Sequence, residues 1–200
     1  MLFSAWGYDV LALELAAAAL MVLALVAAVF GSRWTWPACL ASTGLYGWLF
    51  VQFDLFASAL VLAATIPVCL IGAIRWRGGV PRPRALHPVG RLIVAAVIVA
   101  AGIWVSPWLQ VFGAAEARAD AALTVGALAA WMLLAAKCVE AWPLWALTGI
   151  VGTAHFSVQG LWFSALSAAV LPVVAAGGWH RWSLRQRAAA ATQEPVPVPA

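Results

Sequence analysis

The chain has 200 residues, of which 66% are hydrophobic and only 9% are charged, and its mean hydropathy is +0.98. A soluble domain of this length would need far more polar surface, so the composition excludes a water-soluble globular protein and indicates that lipid is the main solvent. The net charge of +4 is not a sign of nucleic-acid binding, because the basic residues are clustered in particular loops and act as an orientation signal.

Seven apolar runs follow one another along the chain. A spanning helix needs about 20 predominantly apolar residues. No Lys or Arg precedes the first run, so we expect this run to be retained as a span rather than removed as a signal peptide. Residues 183–200, which end in a Pro-rich segment at 194–200, are expected to form a disordered tail. The sequence therefore predicts an all-α integral membrane protein with seven transmembrane helices, at approximately residues 10–30, 36–52, 55–74, 92–111, 120–137, 142–158 and 161–180.

The distribution of basic residues predicts the orientation of these spans. With seven spans, the loops after spans one, three and five lie on the same side of the membrane as the C-terminal tail. That side carries ten of the eleven Lys and Arg residues, and the other side carries only Arg118. Because basic loops are retained in the cytoplasm, the N-terminus is predicted to lie outside and the C-terminus inside.

An internal repeat divides the chain into similar parts. A shift of 106 residues places Glu14 opposite Asp120, and it also aligns Trp36-Pro37 with Trp142-Pro143, Gly72 with Gly178, and Arg75-Trp76 with Arg181-Trp182. We therefore predict two three-helix repeats, residues 1–76 and 118–182, which are joined by a cytoplasmic loop and linker helix at 77–117. One linker helix makes the repeats parallel, with an axis along the membrane normal, an arrangement found in transporters.

Several motifs resemble those of the PnuC-type vitamin transporters, which share a three-plus-one-plus-three helix layout with the SWEET sugar transporters. The usual Pro-Gln pair of the SWEET group does not occur in this chain. The segment Asp120-Ala121 ahead of Thr124 resembles the D-A-x-T opening of the fifth PnuC helix. The segment Glu140-Ala-Trp142-Pro-Leu-Trp145, followed by Gln159-Gly160-Leu161-Trp162, is similar to the family's E-x-W-x-x-W and later G-L-Y patterns.

The resemblance implies a multi-pass protein of the bacterial inner membrane that carries nicotinamide riboside or a similar vitamin precursor. It implies facilitated diffusion by alternating access, a cytosolic kinase that traps the cargo, and a homotrimer; no cofactor is expected. Gly149 stands where many members have Asn or Asp, and the segment Phe56–Leu62 lacks the acidic residue and Gln of the nicotinamide riboside carriers. Thiamine and riboflavin therefore remain alternative cargoes.

The candidate substrate-binding residues lie mainly on the second helix of each repeat. Their aromatic faces could sandwich a planar heterocycle, with about 1 kcal/mol from each stacking or cation–π contact. We predict that this set comprises Tyr46, Trp48, Phe50, Trp142, Trp145, Thr148, His155 and Phe156. A carboxylate in or near the membrane is costly unless it faces water or a partner. Polar residues near the outer ends are therefore predicted to form a polar mouth or gate, namely Glu14, Gln52, Asp120 and Gln159.

Other residues have simpler interpretations. Tryptophans at span ends typically form interfacial belts, which is our prediction for Trp34, Trp36, Trp76, Trp142, Trp179 and Trp182. The spans show no Ser-His-Asp set, paired carboxylates beside His, or metal-ligand cluster, so an enzyme is not expected. A membrane scaffold that transports nothing is the remaining alternative to a transporter.

Overall fold

Seven helices make up the part of the chain that the computed structural model describes, which is residues 2–52, 62–77, 82–111, 117–158 and 162–191. Within these ranges the side chains of residues 2–11, 50, 162–164 and 190–191 are not described. The predicted all-α class with seven helices is confirmed. The helices are α1 (Leu2–Phe30), α2 (Thr35–Gln52), α3 (Thr65–Arg75), α4 (Pro88–Val111), α5 (Ala117–Ala135), α6 (Ala141–Val158) and α7 (Trp162–Ala191).

Three of these helices are long and apolar enough to cross a membrane by length and composition alone, namely Ala12–Phe30 within α1, α4 and α5. The described part of α3 is shorter, and the predicted start of the third span at residue 55 lies outside the described residues. In α2 the polar residues Ser42 and Thr43 are buried, and Ser42 donates a hydrogen bond to the carbonyl oxygen of Ala17 at 2.8 Å. Polar side chains in lipid-spanning helices are expected to face the interior in this way.

Six of the helices form a ring. Following the helix contacts, α1 packs against α2, α2 against α3, α3 against α5, α5 against α6, α6 against α7, and α7 returns to α1. The triplets α1–α3 and α5–α7 thus meet at two seams, α3–α5 and α7–α1. Helix α4 packs on the outside of α5, which suits its predicted role as a linker.

We call one end of the ring the basic end, because Arg33, Arg75, Arg91 and Lys137 lie there; α1, α3 and α5 end there, and α2, α4 and α6 begin there. The loop before α4 is joined to the loop between α5 and α6 at this end. The backbone of Arg84 pairs with Lys137 and Val139 through two hydrogen bonds of 3.0 Å. These contacts hold the start of α6 in place relative to α4.

Glu140 strengthens the same junction. One of its carboxylate oxygens accepts hydrogen bonds from the backbone N–H of Leu86 at 3.0 Å and from Nε of Arg91 at 2.9 Å. The Glu140 side chain is only 14% exposed, so these donors offset the cost of its burial. The first residue of the E-x-W-x-x-W motif therefore anchors the beginning of α6.

The predicted tryptophan belt is partly wrong. Trp34 and Trp179 are 65% and 43% exposed, as the prediction requires, whereas Trp36, Trp76, Trp142 and Trp182 are between 0% and 2% exposed. The helices that carry these four rings converge at the basic end, and the rings turn inward. A position at the end of a span does not determine which way its side chain points.

The predicted disorder of residues 183–200 also needs correction, because α7 continues to Ala191. Residues 183–191 contain no Gly or Pro and consist mainly of good helix formers. In addition, the guanidinium of Arg185 donates a hydrogen bond to the carbonyl oxygen of Phe30 at 3.3 Å, which ties the extension to the end of α1. Residues 192–200 lie outside the described residues.

Two adjacent glycines in α7 provide a test of the packing at the basic end. A Cβ atom added at Gly178 would overlap the buried ring of Trp142, whereas one added at Gly177 would meet nothing within 4 Å. Gly178→Ala should therefore destabilise the fold by about 1–3 kcal/mol through overpacking. Gly177→Ala should be neutral or slightly stabilising, since Ala is favoured over Gly in helices by about 1 kcal/mol. Thermal unfolding of both variants in detergent measures the difference, and equal melting temperatures would contradict this account.

Candidate functional site

The interior of the basic end contains six buried tryptophans, which we call the tryptophan cluster. They come from both triplets, and none is more than 2% exposed. Successive rings contact one another at centroid distances of 5.1–5.9 Å. In order of contact the members are Trp145, Trp131, Trp36, Trp76, Trp182 and Trp142.

Four of the six members are arranged in two matching pairs. Trp36 and Trp76 meet edge to face at 5.1 Å with an interplanar angle of 86°, and Trp142 and Trp182 meet at 5.4 Å and 84°. The two pairs are related by the 106-residue shift. Trp76 and Trp182 then join the pairs at 5.9 Å.

The glycines that the same shift aligns make room for these rings. Gly72 in α3 faces the Trp36 ring, and Gly178 in α7 faces the Trp142 ring. Glycine at these positions lets the indole approach the helix backbone more closely than any side chain would allow. The two tryptophan pairs and the glycines that accommodate them therefore match between the triplets, whereas Trp131 and Trp145 of the second triplet correspond to Leu25 and Cys39 of the first.

The hydrogen-bonding groups of the cluster are largely unused. The indole N–H of Trp182 donates to the carbonyl oxygen of Ala28 at 3.2 Å. The indole nitrogens of Trp36, Trp76, Trp142 and Trp145 are buried and have no acceptor among the described residues. A buried indole N–H usually finds an acceptor, and leaving that hydrogen bond unmade costs about 1–3 kcal/mol. The cluster thus combines aromatic faces with four donors, a set suited to a planar solute that carries acceptors.

The predicted binding residues on α6 lie on one side of the cluster. Trp142 and Trp145 belong to it, and Thr148 follows one turn later and is also buried. The Thr148 hydroxyl donates to the carbonyl oxygens of Leu144 and Trp145, each at 3.0 Å, so its proton is already engaged within the helix. Its oxygen and its methyl group remain the parts that could contact another group.

The predicted residues on α2 are more dispersed. Tyr46 is partly buried, and its hydroxyl lies within electrostatic range of Glu14 on α1. Trp48 is 63% exposed and points away from the interior, so the structure does not bring it together with the cluster. The side chain of Phe50 lies outside the described residues.

An acid–imidazole pair lies toward the end opposite to the basic end. Nε2 of His155 on α6 is 2.8 Å from Oδ1 of Asp120 on α5, and the two side chains are 7% and 35% exposed. His155 also contacts Phe156, with ring centroids 5.5 Å apart. The structure therefore joins a predicted binding residue, His155, to a predicted mouth residue, Asp120.

The three other mouth residues are not part of this pair, and Glu14 lies partly buried on α1. Gln52 is exposed at the end of α2, and Gln159 lies outside the described residues.

A cavity of about 710 Å³ lies between α4, α5 and α6. Its lining is mostly apolar and extends from Gln110 and Arg118, near the end opposite to the basic end, to Gly126 and Thr148. Thr148 therefore lies on α6 between the tryptophan cluster and this cavity, and α6 contributes residues to both.

Comparisons with known proteins identify the family. A family model described as "Nicotinamide mononucleotide transporter" matches residues 11–184. The chain belongs to this family. It is also similar in fold to a solved structure described as the crystal structure of the vitamin B3 transporter PnuC, with a TM-score of 0.74 and 22% identity over 88% of this chain and 82% of that chain. A search of curated proteins found no significant match.

Membership of the nicotinamide mononucleotide transporter family confirms the resemblance to the PnuC-type transporters, and the family is one of membrane transporters rather than enzymes. Together with the apolar helices, it supports the predicted location as a multi-pass inner-membrane protein.

Sequence reasoning missed a role for four members of the cluster, Trp36, Trp76, Trp131 and Trp182. The signal for Trp36, Trp76 and Trp182 was the 106-residue repeat, which aligned tryptophans with one another and also aligned Gly72 with Gly178; the repeat gave no signal for Trp131, which aligns with Leu25.

The Asp120–His155 pair generates a stability prediction. Removing one partner takes away the hydrogen bond between the two side chains, and bonds to charged groups contribute about 1.5–3 kcal/mol. We expect Asp120→Asn and His155→Asn each to lower the melting temperature in detergent. The double variant should lose less than the sum of the single losses, because the two residues share one interaction. Arg118→Gln, an exposed change on the same helix, is the control. Additive losses would show that the residues act independently.

Proposed function

We propose that this protein is a facilitative transporter that carries a vitamin precursor resembling nicotinamide riboside through the interior of the six-helix ring. Family membership supports transport as the activity, and the similar solved structure is described as a vitamin B3 transporter. The observation within this chain that carries the proposal is the tryptophan cluster where the two triplets meet, with four buried indole donors that have no acceptor among the described residues. A nicotinamide riboside-like solute has both a flat ring and several acceptors to match this set.

In this proposal the substrate site lies on the α6 side of the cluster. Trp142 and Trp145 supply ring faces and hydrogen-bond donors, and Thr148 borders the site one helical turn later. Tyr46, His155 and Phe156 line the approach from the opposite end. The polar groups Glu14, Gln52, Asp120 and Gln159 form its mouth. Trp48 is left out of the site because it faces outward.

The transport cycle is proposed to follow from the two seams of the ring. Residues 1–76 and 118–182 would rock against each other as two repeats, with residues 77–117 as loop and linker. Rocking would open the interior to one side of the membrane at a time, which is alternating access. This movement requires that the α3–α5 and α7–α1 seams and the contact between Trp36 and Trp131 rearrange.

The cellular setting is also part of the proposal. The basic end would lie in the cytoplasm of a bacterial cell, as the distribution of Lys and Arg favours. A cytosolic kinase would phosphorylate the cargo there and make uptake unidirectional without any contact with the transporter. The assembly as a homotrimer rests on the family resemblance.

Uptake into proteoliposomes tests this function. Labelled nicotinamide riboside should enter with saturable kinetics, while saturable entry of thiamine or riboflavin instead would identify another cargo of the same family. The absence of uptake and binding for all three solutes would refute the transport proposal and leave the scaffold alternative.

Tryptophan variants test the location of the site. Trp145→Ala should raise the KM for the transported solute on the order of tenfold, since truncating a central buried tryptophan commonly costs about 2 kcal/mol or more. Trp145→Phe should be intermediate, because it keeps a ring but loses the N–H donor. Trp48→Ala is the matched control on the exposed face and should leave the KM unchanged. Equal KM values for Trp145→Ala and Trp48→Ala would place the site elsewhere.

A further inference from the structure

We propose that Trp76 and Trp182 form the barrier that closes the transport pathway at the basic end, and that the structure shows this barrier closed. The inference rests on the proposed transport function. It assigns a task to two residues that are outside the proposed substrate site and that sequence reasoning placed in an interfacial belt.

The position of the pair follows from the repeat. Trp76 comes directly after α3 in the first triplet, and Trp182 is the residue 106 positions later, in α7 of the second triplet. Their ring centroids are 5.9 Å apart. Two equivalent residues can contact each other only close to the axis that relates the repeats. A pathway between two parallel repeats runs along the same axis, so these two rings lie in its course.

The geometry of the rings leaves no passage between them. A planar solute that passes between two aromatic rings needs about 7 Å from ring to ring, because each stacked contact takes about 3.5 Å. Trp76 and Trp182 are closer than this and are inclined at 45° to each other. Both are almost completely buried, at 2% and 0% exposed. Cargo can therefore leave at the basic end only when the two rings separate.

Each barrier ring is supported from behind by its own triplet. The edge-to-face partner of Trp76 is Trp36, and that of Trp182 is Trp142. Trp36 and Trp142 in turn lie against Gly72 and Gly178. Because each ring packs on its own triplet, a rigid movement of the triplets would carry Trp76 and Trp182 apart as two intact units.

Further contacts between the triplets also hold the basic end closed. The indole N–H of Trp182 donates to the Ala28 carbonyl oxygen at 3.2 Å, and Arg185 donates to that of Phe30 at 3.3 Å. The guanidinium carbon of Arg181 lies 4.7 Å from the centroid of the Phe30 ring. These contacts join α7 to the last turn of α1. By contrast, the Asp120–His155 pair at the other end joins two helices of the same triplet.

Reversible cross-linking tests the barrier. In a background with Cys39→Ala, Cys69→Ala and Cys138→Ala, whose uptake is measured first, Trp76→Cys and Trp182→Cys are combined and joined by a short bifunctional reagent that forms a disulfide bond with each thiol. We expect the bridge to abolish uptake while cargo still binds from the opposite side, and reductant to restore uptake. The control combines Trp36→Cys with Trp76→Cys, a contact of similar length within one triplet, and bridging it should not change uptake relative to the same variant before bridging.

A second pair avoids the buried rings in case their loss prevents folding. This pair is Phe30→Cys on α1 and Arg181→Cys on α7. The two native side chains contact each other at the basic end, and Phe30 is 53% exposed. Bridging this pair should also block uptake reversibly. The proposal of a barrier would be overturned if uptake continued at the unbridged rate after either pair was bridged, Trp76→Cys/Trp182→Cys or Phe30→Cys/Arg181→Cys. The absence of uptake before any bridging would instead refute the proposed transport function.

Discussion

The packing of tryptophan rings between the two triplets is the interaction on which the rest of the structure depends. Helices in a bilayer gain little from the hydrophobic effect when they associate, because lipid tails are as apolar as the side chains. Close van der Waals contact must hold them together, and a large flat ring offers more of it than any other side chain. The six buried indoles supply this contact at the basic end. Gly72 and Gly178 allow it by letting the rings reach the helix backbones.

The same rings also bury polar groups at a cost to the stability of the bundle. Four of their N–H groups are buried without an acceptor in the described part of the chain, which is unfavourable for an interior that serves only to hold helices together. An interior that must alternately contact a polar, planar solute has a use for such donors. The cluster therefore connects the stability of the bundle with the proposed binding of cargo, and a change in one would affect the other.

The two ends of the bundle differ in how they are held. At the basic end, aromatic contacts, backbone acceptors of α1 and the Glu140–Arg91 ion pair connect different parts of the chain. Toward the other end, Asp120 on the first helix of the second triplet pairs with His155 on the second helix of that triplet, so this contact lies within one triplet. The linker α4 lies outside the ring and packs on α5.

The sequence by itself determined the class of protein, the number of helices and the family, because hydropathy, the one-sided distribution of Lys and Arg, and the E-x-W-x-x-W motif are properties of the linear chain. It also aligned Trp36 with Trp142 and Trp76 with Trp182. The directions of those rings were decided only by the tertiary structure. In lipid, an indole at the end of a span is equally compatible with a belt facing the headgroups and with a core, and only the neighbouring helices distinguish the two. For the same reason Trp48 was predicted to bind but faces outward, and residues 183–191 were predicted to be disordered but continue a helix that α1 supports.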